Sequence, residues 1–402
     1  MSAPPSLRVL YASTKCPWPP IDGGRLVLLE TLKALLGAGI RASLVCPPPL
    51  EEGAGPTELE GLHTVWAPGR KLPWLLTLLR PYYPATVARH ASATARAGVL
   101  ECLRSHPPDV GHAEQLHTIH NLRPAIDAGI PTLLRAQNVE SDLWKGAAAA
   151  SGLGAPWLRY QARQIARFEA ASTRRLLTVA IADTDAERLR SLAGEEGRVT
   201  SIPAPFPAEL PARTSNLDGD PSVVVVGGGW VPNSEGARWF LSSVWPEVHA
   251  RLPGARLHLF ADEPVDLPPG CVLRAQPPNS EELFPIGSIL AVPLRIASGV
   301  RMKILEAWAR GVPVVATPEA ARGLEARNGE ELLVASSPEG FAEAIGALSS
   351  RPELRAKLAA AGRALLRRRH DPARVAKQWL EIYQELAATG RPQTASKTPA
   401  DG

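Results

Sequence analysis

Short apolar runs alternate with helical segments twice along this chain, and a proline-rich break separates the two series. Strand-like runs occur at LRVLYA (7 to 12), ASLVC (42 to 46), DVGHA (109 to 113), PTLLRA (131 to 136) and LLTVAIA (176 to 182). Between them lie helical segments near 24 to 38, 85 to 105, 157 to 174 and 184 to 193. Such alternation gives a parallel sheet wrapped by helices. The break IPAPFPAELPARTSNLDGDP at 202 to 221 then ends the first series. A second series follows with SVVVVG (222 to 227), ARLHLF (255 to 260), CVLRA (271 to 275), SILAVPL (288 to 294) and VPVVAT (312 to 317). Two such units predict two Rossmann-like α/β domains facing across a cleft.

Length agrees, since 402 residues exceed one ordinary core and suit two domains of about 200 residues each. The predicted division is 1–205 for the first domain, 206–221 for a linker and 222–370 for the second domain. Residues 371–388 form a terminal helix in which Val375, Trp379, Ile382, Tyr383 and Leu386 recur at helical spacing. Residues 389–402 read as a disordered tail.

Composition excludes several classes of protein. Hydrophobic content of 45% with 21% charged residues is globular, and no apolar run approaches the roughly 18 residues of a spanning helix. Four cysteines, Cys16, Cys46, Cys102 and Cys271, are far apart without a Cys-x-x-Cys pair, which argues against a zinc ribbon or a disulfide framework. A net charge of +4 is too small to indicate nucleic acid. The opening MSAPPSLRVLYAS enters a strand without the pattern of an export signal, so the expected location is cytoplasmic.

The densest chemistry lies in SGVRMKILEAWARGVPVVATPEAARGLE, residues 298 to 325. A polar turn runs into an amphipathic helix, a Gly-Val-Pro stop, a short strand and a second loop. A helix start facing a strand end is where an α/β sheet binds anions and ribose hydroxyls. Arg301, Lys303 and Glu306 place two cations and a carboxylate on the first turns of that helix. A diphosphate and a sugar hydroxyl suit that set.

Other loops add candidates. Gly227, Gly228 and Gly229 end a strand and offer a close backbone approach to phosphate, supported by the helix start near Asn233. Their spacing fails the dinucleotide fingerprint at Pro232, so a nicotinamide cofactor is not expected. Gly23, Gly24 and Arg25 open the first helix after CPWPPID, and Asp22 is its expected cap. In GHAEQLHTIH at 111 to 120, His117 is the preferred cleft histidine, with His112 and His120 as rivals, and the spacing implies no metal. Asp183-Thr184-Asp185 is read as a helix start, with Thr184 and Glu187 spaced as a capping box. Residues 70 to 83, RKLPWLLTLLRPYY, suit either a membrane surface or a buried helix with two exposed ends.

The 298–325 segment resembles the donor-site signature of family 4 glycosyltransferases, retaining GT-B enzymes, and most closely the subgroup of sugar transferases associated with bacterial exopolysaccharide loci. The resemblance extends to GGGWVPNSEGARWFLSSVWPEVHARLPGARLHLF at 227 to 260, LRAQNVESDLW at 134 to 144 and PWPPIDGGRLVLLETLKALLGAGI at 17 to 40. It implies a GT-B fold whose terminal helix returns to the first domain. It also implies transfer of a sugar from a nucleotide diphosphate sugar to a glycan, lipid-linked or small-molecule acceptor, with retention of configuration. The nucleotide sugar would be a co-substrate, with no metal and no further cofactor, as in polysaccharide biosynthesis.

On that resemblance Glu306 would bind ribose, and Arg301 and Lys303 would offset charge on the diphosphate. Ser298 and Gly299 would contact phosphate or hexose, while Gly23, Gly24 and Arg25 would meet the donor phosphate or the acceptor. His117 would lie near the reacting centre. The chain departs from the family pattern where Ser298 replaces the first of two spaced glutamates. It departs again where Trp230 and Glu235 stand near the positions of a loop arginine and lysine. A GT-B nucleotide-sugar epimerase and a non-catalytic nucleotide-sugar-binding protein share the same donor site and stand as alternatives.

Overall fold

The computed structural model describes residues 6–49, 59–69, 71–79, 83–152, 154–211, 217–228, 231–261, 266–277 and 280–390. The first sheet is built from β1 (Arg8–Ala12), β2 (Arg41–Cys46), β3 (Leu62–Trp66), β4 (Val110–Glu114), β5 (Thr132–Ala136), β6 (Leu177–Ala180) and β7 (Val199–Ser201). Its strand order is β3-β2-β1-β4-β5-β6-β7, with every pairing parallel. The second sheet contains β8 (Ser222–Val226), β9 (Arg256–Phe260), β10 (Cys271–Arg274), β11 (Ile289–Val292), β12 (Val314–Ala316) and β13 (Leu333–Val334). Its order, β10-β9-β8-β11-β12-β13, repeats the same reversal, again all parallel.

Both sheets are therefore doubly wound, and in each the order reverses beside the first strand. Such a reversal splays the connections to opposite faces and opens a crevice at the carboxyl ends of the strands. In the first sheet that crevice lies between the loops after β1 and β4. In the second it lies between the loops after β8 and β11.

Buried β-branched runs account for the strands. Val223, Val224 and Val225 are at most 1% exposed, as expected for parallel strands covered on both faces. Helices fill the crossovers, and their ends follow local chemistry. Asp22 accepts a hydrogen bond from the Arg25 amide at 3.1 Å and caps helix Gly23–Gly37. Gly311, at φ 77°, ends helix Met302–Arg310 in the left-handed conformation, and the Val312 amide returns to Ala307 at 2.8 Å.

Several boundaries differ from the sequence reading. The predicted helix 85–105 is two helices, Ala85–His90 and Ala93–Ser105, because Ser92 is extended and caps the second through the Ala95 amide. Three short strands, β3, β7 and β13, lie at sheet edges and carry little apolar signal. Thr184 is not a helix cap: helix Asp183–Ala193 begins one residue earlier, with Ala182 at the cap position and no side-chain cap bond. The aspartates there hold other elements instead.

The terminal helix, Pro372–Gly390, packs on the first domain. Val375, Trp379, Tyr383 and Leu386 join a core with Val9, Tyr11, Leu28 and Leu44. Tyr383 Oη shares hydrogen bonds with Tyr11 Oη at 2.6 Å and His112 Nδ1 at 2.7 Å. The described linker residues lie against the second domain, with the Leu210 amide donating to Ala309 at 3.1 Å. Residues 391–402, most of the expected tail, lie outside the described residues. Among the described residues, no helix is long and apolar enough to cross a membrane.

Candidate active site

The two crevices face each other. A Cβ placed on Gly23 would lie 3.5 Å from the Met302 side chain, so the first helix of one domain begins against the helix start of the other. Val27 shares a core with Met302 and Ile304 across this junction.

On the second-domain wall, Lys303 Nζ donates to the Val226 carbonyl at 3.2 Å, tying helix Met302–Arg310 to the end of β8. Burial pushes its ammonium down to about 8, with Arg301 adding to the shift. Arg301 is 8% exposed, donates through Nη2 to the Ser298 carbonyl, and leaves Nη1 buried without a partner. Its pKa is lowered to about 10, chiefly by burial and against the pull of Asp185. Two desolvated cations with an unmet donor form a wall suited to a polyanion.

Glu306 is 5% exposed, and its Oε1 already accepts from Ser280 Oγ at 2.6 Å and from Arg310 Nη2 at 3.0 Å. The carboxylate therefore sits in a buried ion pair, which the sequence reading did not include. Asn233 Nδ2 donates to the Gly228 carbonyl at 3.3 Å, and its helix runs from Val231 to Trp239. Gly228 takes φ 86°, a conformation open to glycine, while Gly229 and Trp230 lie outside the described residues. Glu235, where a lysine was expected, forms an ion pair with Arg295.

Ser298 and Gly299 differ most from expectation. Ser298 Oγ accepts the Val139 amide at 2.7 Å and lies 3.3 Å from both oxygens of Asp185. The Gly299 amide donates to Asp185 Oδ2 at 2.7 Å. Both residues thus join the domains across the cleft rather than presenting free groups to a ligand. Burial raises the Asp185 carboxyl above the usual range, partly offset by the Gly299 hydrogen bond.

The first-domain wall is richer than its sequence suggested. Lys15 Nζ pairs with Asp22 Oδ2 at 3.0 Å, and Arg25 Nε lies 3.6 Å from the same oxygen. Arg25 is 9% exposed, and its Nη1 is buried without a hydrogen bond. A Cβ on Gly24 would stand 3.0 Å from Gln137 Oε1 and 3.2 Å from Gln115 Nε2, so only glycine leaves both amides their places. Gln115 itself is held at φ 78° and ψ 155°, a region essentially reserved for glycine. Its side chain donates to Gln137 at 2.8 Å, and Gln137 donates to Glu114 at 2.6 Å.

His117 follows on a short 3-10 turn, 9% exposed, with its ring 5.1 Å from that of His90. Its Nε2 lies 3.9 Å from Glu140 Oε2. Burial, reinforced by Lys15 and Lys71, lowers His117 to about 4, so the ring is neutral at pH 7. Burial raises Glu140 to about 7. Of the rivals, His112 is completely buried and bonded to Tyr383 and to Glu114, which makes it part of the core under the terminal helix. His120 contacts Tyr83 edge to face.

Sequence reasoning missed Lys15, Lys71, Gln115, Gln137, Glu140 and Asp185. Gln115 ends the strand beside the order reversal and Gln137 ends the next strand over, the signal that could have identified them. The expected 70–83 segment is described as a 3-10 helix, Trp74–Leu79, flanked by residues outside the description at 70 and 80–82. Trp74, Trp144 and Trp157 form an aromatic cluster with centroids about 6 Å apart. A hollow of about 740 Å³ beside Gly228, lined by Leu241, Leu259 and Leu267, does not include Arg301, Lys303 or Glu306 and is separate from the candidate site.

Comparison with known proteins bears on this geometry. Residues 220–351 match the model for "Glycosyl transferases group 1". No curated protein matches the chain significantly. The structure of sucrose-phosphate synthase from Thermosynechococcus elongatus is similar with a TM-score of 0.75 at 14% identity, covering 96% of this chain and 100% of that one. Anabaena HepE, solved in complex with UDP and glucose, gives 0.66 at 15% identity, covering 94% and 100%. WaaG, a glycosyltransferase involved in lipopolysaccharide biosynthesis, gives 0.61 at 14% identity, covering 93% and 99%. The whole chain has the two-domain architecture of GT-B glycosyltransferases, and its second half carries a glycosyl transferases group 1 domain.

Proposed function

We propose that the chain transfers a sugar from a nucleotide diphosphate sugar to an acceptor with retention of configuration, without a metal. The observation that carries this reading is the pair of facing crevices with Arg301 buried and Lys303 half-buried between them, the first with an unmet donor. Such a wall stabilises the charge that grows on a departing diphosphate, at no cost of reorganisation during the reaction. Glu306 would bind the ribose, and Gly228 with the helix start at Val231 would approach the phosphates through their amides.

Retention is carried by the family resemblance. In a front-face displacement the acceptor oxygen bonds to the anomeric carbon as the carbon–phosphate oxygen bond breaks, and the departing oxygen takes the acceptor proton. This demands positioning and electrostatic support rather than a protein nucleophile. The Ser298 and Gly299 bonds to the first domain support a role in closing the cleft around both substrates. A polysaccharide, lipid-linked or small-molecule acceptor would enter from the first-domain wall.

The proposed location is the cytoplasm, with the Trp74 cluster against a membrane surface. Trp74 is 44% and Leu76 43% exposed, and Arg89 lies 4.6 Å over the Trp74 ring.

A thermal-shift screen with UDP, GDP, ADP and their sugar conjugates tests the reading, with UDP first because HepE was solved with it. Stabilisation by one nucleotide, weakened in Glu306→Gln, is expected. A shift without any transfer would favour a non-catalytic nucleotide-sugar-binding role, absence of any shift would overturn the reading, and sugar conversion without acceptor would favour an epimerase. The anomeric coupling constant of the transfer product, read by NMR, decides retention.

A further inference from the structure

The first-domain wall carries more positive charge than its own structure uses. Lys15, Arg25 and Lys71 face one another around Asp22, and Lys71 has its pKa lowered by burial and then by Lys15, Arg89 and Arg25. Arg89 is committed elsewhere, since its Nη1 donates to the Leu72 carbonyl at 2.8 Å and its guanidinium covers Trp74. Arg25 keeps a buried nitrogen without a partner, and no ion pair engages Lys71 among the described residues. Three cations thus oppose one half-buried carboxylate, an excess of two positive charges. His117 is neutral at pH 7, and Glu140, at about 7, offsets only part of that excess.

The cluster is held in place by built features. The Leu72 amide donates to the Arg89 carbonyl at 3.1 Å, fixing the residue next to Lys71 at the end of helix Ala85–His90. The His90 ring then meets that of His117 at a tilt, and His117 lies two residues beyond the strained Gln115. Backbone strain of this kind, roughly 1 to 3 kcal/mol, persists where surrounding structure holds it and clusters at ligand sites. Both lysines remain accessible, with Lys71 exposed and the Lys15 side chain 36% exposed.

We propose that the acceptor carries a phosphate ester, held by Lys15, Lys71 and Arg25 on the first-domain wall of the cleft. This rests on reading the cleft as a sugar-transfer site and names the acceptor class. A phosphate monoester carries about 1.5 to 2 negative charges at pH 7, which matches the excess, whereas a carboxylate or neutral glycan leaves it unbalanced. Lysines suit phosphate as point charges, and the planar Arg25 fork adds a directed donor. These cations stand opposite Arg301 and Lys303, so acceptor and donor phosphates occupy different walls.

The test is calorimetric titration of glucose 6-phosphate, glucose and inorganic phosphate into the full chain, and of Lys15→Ala, Lys71→Ala, Lys303→Ala and Lys33→Ala variants. Lys33, paired with Glu30, removes an equal charge outside the cluster. Glucose 6-phosphate is expected to bind at least tenfold tighter than glucose, with a tenfold or greater loss in Lys15→Ala and Lys71→Ala. Lys303→Ala and Lys33→Ala should leave it unchanged. Vesicles of phosphatidic acid against phosphatidylcholine form a second arm: lysine-dependent binding to phosphatidic acid without glucose 6-phosphate binding assigns the phosphate to a lipid, and the converse to a soluble sugar. Binding indifferent to Lys15 and Lys71 in both arms, or lost only in Lys303→Ala, overturns the proposal. Nucleoside diphosphate titrations on the same proteins separate the readings. Their failure sinks the transfer reading, while their success beside phosphate binding indifferent to Lys15 and Lys71 sinks only this one.

Discussion

The Gly299 amide reaches across the cleft to the Asp185 carboxylate at 2.7 Å, with Ser298 Oγ beside it accepting from Val139. A single turn of the second domain is therefore clamped to two elements of the first. Gly299 has φ 77°, and a methyl group there would overlap the Gln137 carbonyl oxygen. Gly299→Ala is expected to hold the domains apart while leaving each folded, because backbone strain and the clash act only at the junction. Small-angle scattering should show a larger radius of gyration with an unchanged circular dichroism spectrum, and transfer activity should fall at least a hundredfold. An unchanged radius with full activity would remove this clamp from the account.

Glu306 cannot be tested by truncation alone. Its partner Arg310 is 9% exposed, and Glu306→Ala strands that guanidinium in the interior. Losing one member of a buried pair costs about 3 to 5 kcal/mol, so the alanine variant should melt well below wild type. Glu306→Gln keeps the shape and separates binding from folding. Loss of a hydrogen bond from a charged acceptor, about 1.5 to 3 kcal/mol, predicts roughly ten- to hundredfold weaker nucleotide binding. Lys303→Ala should lower kcat more than it raises KM, since its charge acts on the leaving group. Equal, small effects from both variants on calorimetry and kinetics would count against these roles.

The fold was legible because parallel strands buried on both faces read as continuous β-branched runs, as SVVVV at β8 shows. Edge strands such as β13, two residues long, carry too little burial to mark the sequence. The second-domain cluster was legible as a cluster, because Arg301, Lys303 and Glu306 lie within six residues at the start of one helix. The rest of the first-domain wall was not, since Lys15, Lys71 and Glu140 come from segments far apart in the chain that only the sheet order brings together near His117. Ser298 was misread for a related reason: a hydroxyl at a cleft looks alike in sequence whether its partner is a ligand or another domain. Asp185 supplied that partner from 113 residues away.

Lys303 should give the reaction an alkaline limit. Burial lowers its pKa to about 8, so the ammonium is charged below that pH and neutral above it. A profile of kcat/KM reports the free enzyme, and activity is expected to fall tenfold per pH unit beyond about 8. Lys303→Arg, whose guanidinium keeps its charge, should move that limb upward even if the maximum falls. A limb of identical position in both proteins would assign the titration to another group.

Glu140 links pH to stability. Burial raises its carboxyl from 4.5 to about 7 in the folded chain, with Glu169 close by accepting the Glu140 amide at 2.8 Å and His117 neutral at 3.9 Å. A raised folded-state value means that the native state binds the proton more tightly than the unfolded state does. The resulting stabilisation is fully present below pH 4.5 and is lost as pH rises through about 7. Glu140→Gln removes the ionisation while keeping the shape. Relative to wild type it should gain up to about 3 kcal/mol at pH 8, with the gain shrinking toward zero at pH 4.5. Denaturant melts of both proteins across this range check the sign: a gain that is the same at every pH would show that the carboxyl is not the titrating group.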